Sequence, residues 1–198
     1  MGKPLEFWFE FASTYSYLSA ARIEDACANA GVPLVWRSFL LGPVFGAQGM
    51  TDSPFNMFPV KGAYMWTDME RCCSDLELPF GKPSSFPRGS LLAARIVAAH
   101  ADAPWVGPFV RAVYHANFAE DRDIADDTVI AALLFEIEQD AEAIVAAATA
   151  PEGKALLRTA TEEALARGLF GAPSFVVDGA LFWGNDRLEQ ALAHARAS

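Results

Sequence analysis

Leu5-Glu6-Phe7-Trp8-Phe9-Glu10-Phe11-Ala12-Ser13-Thr14-Tyr15-Ser16 is the stretch on which the fold turns. Leu5 to Phe11 alternates bulky and aromatic residues around two glutamates, and its brevity and aromatic content predict a buried strand rather than a helix. Ser13 then opens a run in which Ala20, Ile23, Cys27 and Ala30 recur at helical spacing as far as Gly31, a residue suited to a left-handed helix end, with Pro33 close behind. Pro33 to Phe39 is again rich in strand-forming residues. Strand, helix and strand in that order make a βαβ unit with parallel strands and a right-handed crossover.

Outward from this unit the pattern changes twice. Leu41 to Pro59 carries Gly42, Pro43, Gly46, Gly49, Pro54 and Pro59, which interrupt any period and predict a long loop able to fold over a ligand. Val60 to Gly168 reads as helical, most clearly where Ile130, Leu133, Leu134, Ile137, Ala141, Ile144, Val145 and Ala148 trace one apolar face. Four or more helices are expected there, punctuated by prolines. Ser174 to Val177, Asp178-Gly179 and Ala180 to Trp183 predict a hairpin with a type I′ turn, and Asp186 with Glu189 predicts a capping box at the start of a last helix. The fold class is therefore α/β. A thioredoxin-like βαβ-ββα domain is expected from residues 1–58 and 169–198, with a large all-helical insertion over residues 59–168.

A length of 198 residues suits one domain carrying an insertion. Apolar residues supply 53% of the chain, which excludes disorder and leaves surplus apolar surface for a pocket or a subunit contact. No apolar run reaches the ~18 residues that cross a bilayer, and neither a signal-peptide core nor a myristoylation pattern opens the chain, so no membrane partner and a cytoplasmic location are expected. Fifteen basic residues against 25 acidic ones give a net charge of −10 without a basic stripe, which disfavours nucleic acid. Cys27, Cys72 and Cys73 form no CxxC pair, and His100, His115 and His194 are scattered, so neither a dithiol centre nor a metal site is expected.

Ser13-Thr14-Tyr15-Ser16 falls at the turn from the first strand into the first helix, where thioredoxin-like chains place a redox CxxC because helix amides there stabilise a thiolate. Both cysteine positions are serines. A serine carries no electrons, but it can donate its proton to a thiolate that arrives on a ligand; read alone, Ser13 is equally an ordinary N-cap. Ala172-Pro173 stands immediately before a strand, where a cis proline would expose the Ala172 backbone to a bound peptide, or a trans proline would merely start the strand. Asp186, at the start of the last helix, can accept a ligand ammonium or cap the helix. Lys61, Tyr64, Asp68 and Arg71 share one helix face, which suits an anionic substrate but is more commonly a solvated surface. Asn56 is a lone amide in the long loop, fit either for a ligand backbone or for closing a turn.

Taken together, Phe9 to Leu18, Asn56 with Pro59-Val60-Lys61 and Tyr64, Gly168 to Gly179, and Phe182 to Leu188 resemble the 2-hydroxychromene-2-carboxylate isomerase family, relatives of kappa-class glutathione transferases on the DsbA-like thioredoxin scaffold. The resemblance runs nearly end to end. It implies a glutathione-dependent enzyme that isomerises a small aromatic carboxylate by reversible thiolate addition, and a homodimer. Ser13 matches the family's catalytic serine. Asn56, Ala172, Pro173, Asn185 and Asp186 match glutathione-binding positions, and Lys61 and Tyr64 match positions near the substrate. Thr14 stands where the family usually has proline, a departure expected to loosen the turn. Glutathione transfer or peroxide reduction at the same site, a dithiol oxidoreductase, and a non-catalytic peptide-binding protein are the alternatives.

Overall fold

The computed structural model describes residues 2–197. Strand β1 (Leu5–Phe9) pairs in parallel with β2 (Leu34–Ser38) across helix α1 (Thr14–Ala30), so the βαβ unit is present. β1 is shorter than the predicted strand because the chain turns at Glu10. The Glu10 carbonyl accepts from the Ser13 N–H at 2.9 Å, and its carboxylate accepts from the Ala12 N–H at 3.1 Å. Gly31, at φ 66°, ends α1 in the left-handed conformation and donates its N–H to the Ala28 carbonyl.

The predicted loop over Leu41 to Pro59 is largely helical, a correction with a plain cause. Helices α2 (Leu41–Ala47), α3 (Pro54–Met57) and α4 (Pro59–Asp75) all carry their prolines in the first turn, where the missing N–H has no intrahelical partner to lose. Those prolines start helices rather than break them. Helices α5 (Leu91–Ala99), α6 (Val106–Phe118), α7 (Asp127–Glu136), α8 (Ala141–Thr149) and α9 (Pro151–Ala166) complete the insertion. The apolar stripe from Ile130 to Ala148 is two helices, not one. Glu138 takes φ 60°, and Asp140 caps α8 by accepting from the Ala143 N–H at 3.1 Å.

Strands β3 (Ser174–Val177) and β4 (Ala180–Trp183) are antiparallel, and Asp178 and Gly179 both have positive φ, as a type I′ turn requires. The mixed sheet has the order β2-β1-β3-β4. Beyond β4 the predicted capping box does not form. Gly184, at φ 109°, donates its N–H to the Pro173 carbonyl at 2.9 Å, and a short turn over Asn185–Arg187 leads into α10 (Leu188–Ala197). Glu189 pairs with Arg22 instead of turning back on its own helix.

Leu5, Phe7 and Phe9 join α1, the insertion and α10 in one apolar cluster, so a single core continues through both segments of the chain. Phe7 stacks on Phe9 and Phe175 at 4.9 and 5.6 Å between ring centres. Trp8 points to the other face, where Phe39, Val44, Ala164 and Val176 surround it. The alternation read in the sequence is thus a sheet with both faces covered, which explains why nearly every residue of β1 is bulky.

Candidate active site

Ser13 caps α1, a 17-residue helix with no acidic side chain in its first turn, so the partial positive charge of its N-terminus is not neutralised locally. The Ser13 oxygen accepts from the Ser16 N–H at 3.3 Å and shares a 3.0 Å hydrogen bond with the Ser16 hydroxyl. It donates its own proton to the Ala172 carbonyl at 3.0 Å, across 159 residues of sequence. The Ala172–Pro173 bond is cis. Thr14, expected from the resemblance to loosen the turn, does not open it. It is the first residue of α1, is buried, and donates its hydroxyl to the Met65 sulfur at 3.3 Å.

Ser13 and Ala172 line a cleft of about 920 Å³ between the sheet edge and the α2–α4 segment. Aromatic walls enclose it. Phe170 and Trp183 pack at 4.8 Å on one side, and Tyr15 and Phe55 at 6.4 Å on the other. Gly171 lets the chain pass close to one of these walls, since a Cβ there would sit 2.6 Å from the Trp183 ring nitrogen and displace that ring. Lys61 and Tyr64 also line the cleft; the Lys61 ammonium lies 5.6 Å from the centre of the Phe55 ring, and Tyr64 is largely exposed.

The rest of that polar helix face divides. Asp68 accepts from the Tyr15 hydroxyl at 2.8 Å, while Arg71 faces solvent. Burial and the adjacent Asp68 carboxylate hold the Tyr15 phenol well above its ordinary range, so it remains a proton donor.

Asn56 does not line the cleft. Its amide donates to the Asp52 carboxylate at 3.0 Å and the Phe86 carbonyl at 3.3 Å. Asn185 and Asp186 lie just past the Trp183 wall, next to the cis-proline loop through the bond from Gly184 to Pro173. The Asn185 side chain accepts from the Ser19 hydroxyl at 3.0 Å and Arg22 at 3.2 Å, which ties this turn to α1, and Asp186 is exposed beside Arg187.

Glu10, Ser90 and Arg88 are among the cleft residues that escaped the reading of the sequence. Glu10 is buried, accepts from the Ala12 N–H and the Ser90 hydroxyl, and its carboxyl is pushed up to about 7 by loss of water, against the lowering effect of those two hydrogen bonds. Its signal was visible: a single carboxylate inside an aromatic strand needs a partner. Ser90 and Arg88 come from the segment before α5, where no period marks them. The Arg88 guanidinium is committed to Asn117, Asp121, Ser84 and the Arg122 carbonyl, so it braces the cleft wall. No cysteine lines the cleft, and burial pushes Cys27 and Cys73 up to about 11, far from reactive values.

Comparison with known proteins agrees with this fold. The profile described as DSBA-like thioredoxin domain matches residues 4–195. The chain belongs to this family. It is 30% identical over 189 residues to a 2-hydroxychromene-2-carboxylate isomerase of Sphingobium xenophagum, covering 96% of each chain. It is 26% identical over 202 residues to glutathione S-transferase kappa 2 of Caenorhabditis elegans, covering 95% of this chain and 89% of that one. A solved 2-hydroxychromene-2-carboxylate isomerase superposes with a TM-score of 0.86 at 21% identity, over 96% of this chain and 92% of the other. The DsbA-like member described here therefore has its kinship with isomerases and glutathione transferases. Among the described residues, no helix is long and apolar enough to cross a membrane.

Proposed function

We propose that the protein is a glutathione-dependent cis/trans isomerase of a small aromatic carboxylate resembling 2-hydroxychromene-2-carboxylate. The observation that carries the reading is Ser13. Its hydroxyl stands at a positively polarised helix start, opposite the Ala172 carbonyl that precedes the cis proline, in a cleft that no cysteine lines. The cleft offers a place for a thiolate, and none of the chain's three cysteines lines it.

These residues fit a cysteine-containing peptide. The Ala172 backbone beside Pro173 suits main-chain pairing, the turn at Asn185 and Asp186 suits an amino-acid end group, and the cleft has room for both peptide and aryl substrate. When bound, glutathione supplies a thiolate that adds reversibly to the conjugated double bond, allows rotation about it, and leaves unchanged. A free thiol near pKa 8.5 is mostly protonated at pH 7, and lowering it by ~2 units supplies nearly all of the thiolate. The Ser13 hydroxyl and the first amides of α1 provide that lowering. Lys61 pairs with the substrate carboxylate, Tyr64 borders it, and the Phe55 and Trp183 walls take the aryl ring and exclude water. Asn56, whose amide is spent on Asp52 and Phe86, contributes by ordering the segment that carries these side chains.

The test is calorimetry with glutathione followed by mass balance on 2-hydroxychromene-2-carboxylate. Binding, accumulation of the trans isomer and full recovery of free glutathione are expected. A glutathione conjugate or oxidised glutathione would replace isomerisation with transfer or peroxide reduction, and absence of binding would leave a peptide-binding protein.

A further inference from the structure

The Ser13 hydroxyl has one proton and two acceptor positions. Its proton goes to the Ala172 carbonyl, which can only accept. The 3.0 Å bond between the two serine oxygens must therefore be donated by Ser16, and the Ser16 N–H supplies a second donor at 3.3 Å. Both acceptor positions of Ser13 are thus filled by one residue. Ser16 is wholly buried, and its hydroxyl is shared between Ser13 and the oxygen of Tyr114, whose own proton is given to the Glu10 carbonyl at 2.9 Å.

We propose that Ser16 is a positioning residue that makes Ser13 a one-way hydrogen-bond donor, aimed along the wall that Ala172 forms. A hydroxyl with empty acceptor positions rotates and takes protons as readily as it gives them; one with both positions filled can only donate. The Ala172 carbonyl is then a resting partner for the Ser13 proton. When the N–H of a bound peptide pairs with that carbonyl, the proton is redirected to the sulfur beside it. No covalent bond changes in the exchange.

The proposal deepens the function given above and rests on it, so its test is read first without glutathione. In a Ser13→Cys variant, the introduced sulfur faces the two Ser16 donors, and its ionisation is followed by thiolate absorbance against the wild-type background. Subtracting the wild-type titration removes the contribution of Cys27, Cys72 and Cys73, whose thiols burial raises. Adding Ser16→Ala removes the hydroxyl and keeps the N–H, and it is expected to raise the introduced thiol's pKa by about half a unit to one unit. Adding Ser19→Ala instead, at another buried serine of α1, is expected to leave that value in place. Equal pKa values for Ser13→Cys with and without Ser16→Ala, or an equal rise with Ser19→Ala, overturn the proposal. The second arm compares Ser16→Ala with wild type for the pKa of bound glutathione. Failure of wild type to bind glutathione overturns the proposed function, while the first arm still decides the role of Ser16.

Discussion

At the Ser13 end of the cleft the working atoms belong to residues whose hydrogen bonds are already complete within the chain. Ser13, Ser16, Ala172 and the Glu10 carboxyl are held by hydrogen bonds within the turn and by two that cross the fold, Ser13 to Ala172 and Ser90 to Glu10. At the Lys61 end they belong to side chains on the exposed start of α4, where Phe58, Val60 and Tyr64 stand largely in solvent. The first end stores its organisation in the fold, so under the proposed function only the Ser13 proton has to turn when charge appears; the second, being exposed, can adapt to what it meets. If the proposed function holds, chemistry and selectivity are separated along a single cleft, and substitutions at the two ends should fail in different ways.

The largest effect is expected from Ser13→Ala, which should lower turnover by about 10²–10³-fold, as loss of a preorganised donor does, and raise the bound thiol's pKa, with glutathione affinity changed only a few-fold. Stopped assays and thiolate absorbance measure both. An unchanged thiol pKa would break the comparison at its first end. Ser13→Ala also removes an N-cap, so a stability loss of about 1 kcal/mol should appear in thermal melts.

Next comes Glu10. Its folded value near 7 lies above the ordinary 4.5, so between these pH values the native state binds more protons than the unfolded chain. Stability supplied by this group is complete below about 4.5 and is lost as pH rises through 7, on the order of 3 kcal/mol. Glu10→Gln should flatten that slope in denaturant titrations at pH 5 and 8, and a slope that survives would place the charge elsewhere.

Lys61→Met should raise KM for the aromatic carboxylate about five- to tenfold and leave kcat within about twofold, the mark of binding made equally in ground and transition states. A fall in kcat instead would put Lys61 with the chemistry and erase the separation. The smallest effect is expected from Asn56→Ala. Because its amide bonds are exposed, stability should change by only about 0.5 kcal/mol and glutathione affinity by less than about threefold. A tenfold loss of affinity measured by calorimetry would make Asn56 a direct ligand.

The same separation explains what was legible in the sequence. The βαβ unit, the hairpin and the serine pair were readable because each is local: alternation, helical spacing and turn dipeptides act over a few residues. Pro43, Pro54 and Pro59 were misread because the same residue starts a helix or ends one, and only its position in the turn decides which. The stripe from Ile130 to Ala148 concealed a break because the core side of two successive helices can keep one period while the backbone turns at Glu138. Asp186 looked like a cap because the unusual φ of Gly184 leaves no trace in a one-dimensional pattern. Ser90 and Arg88 carry no local signal at all, since their partners Glu10, Asn117 and Asp121 lie 29 to 80 positions away.

The bond between Ser13 and Ala172 also fixes when the site comes into being. β1 emerges first during synthesis, yet its antiparallel neighbour β3 and the carbonyl facing Ser13 come from the last thirty or so residues. Everything between must be made before the sheet can close, so contacts of this span arrive late in folding. A nascent chain halted inside the insertion holds the Ser13 cap without its Ala172 partner, and the bond between them first forms with the β3–β4 hairpin.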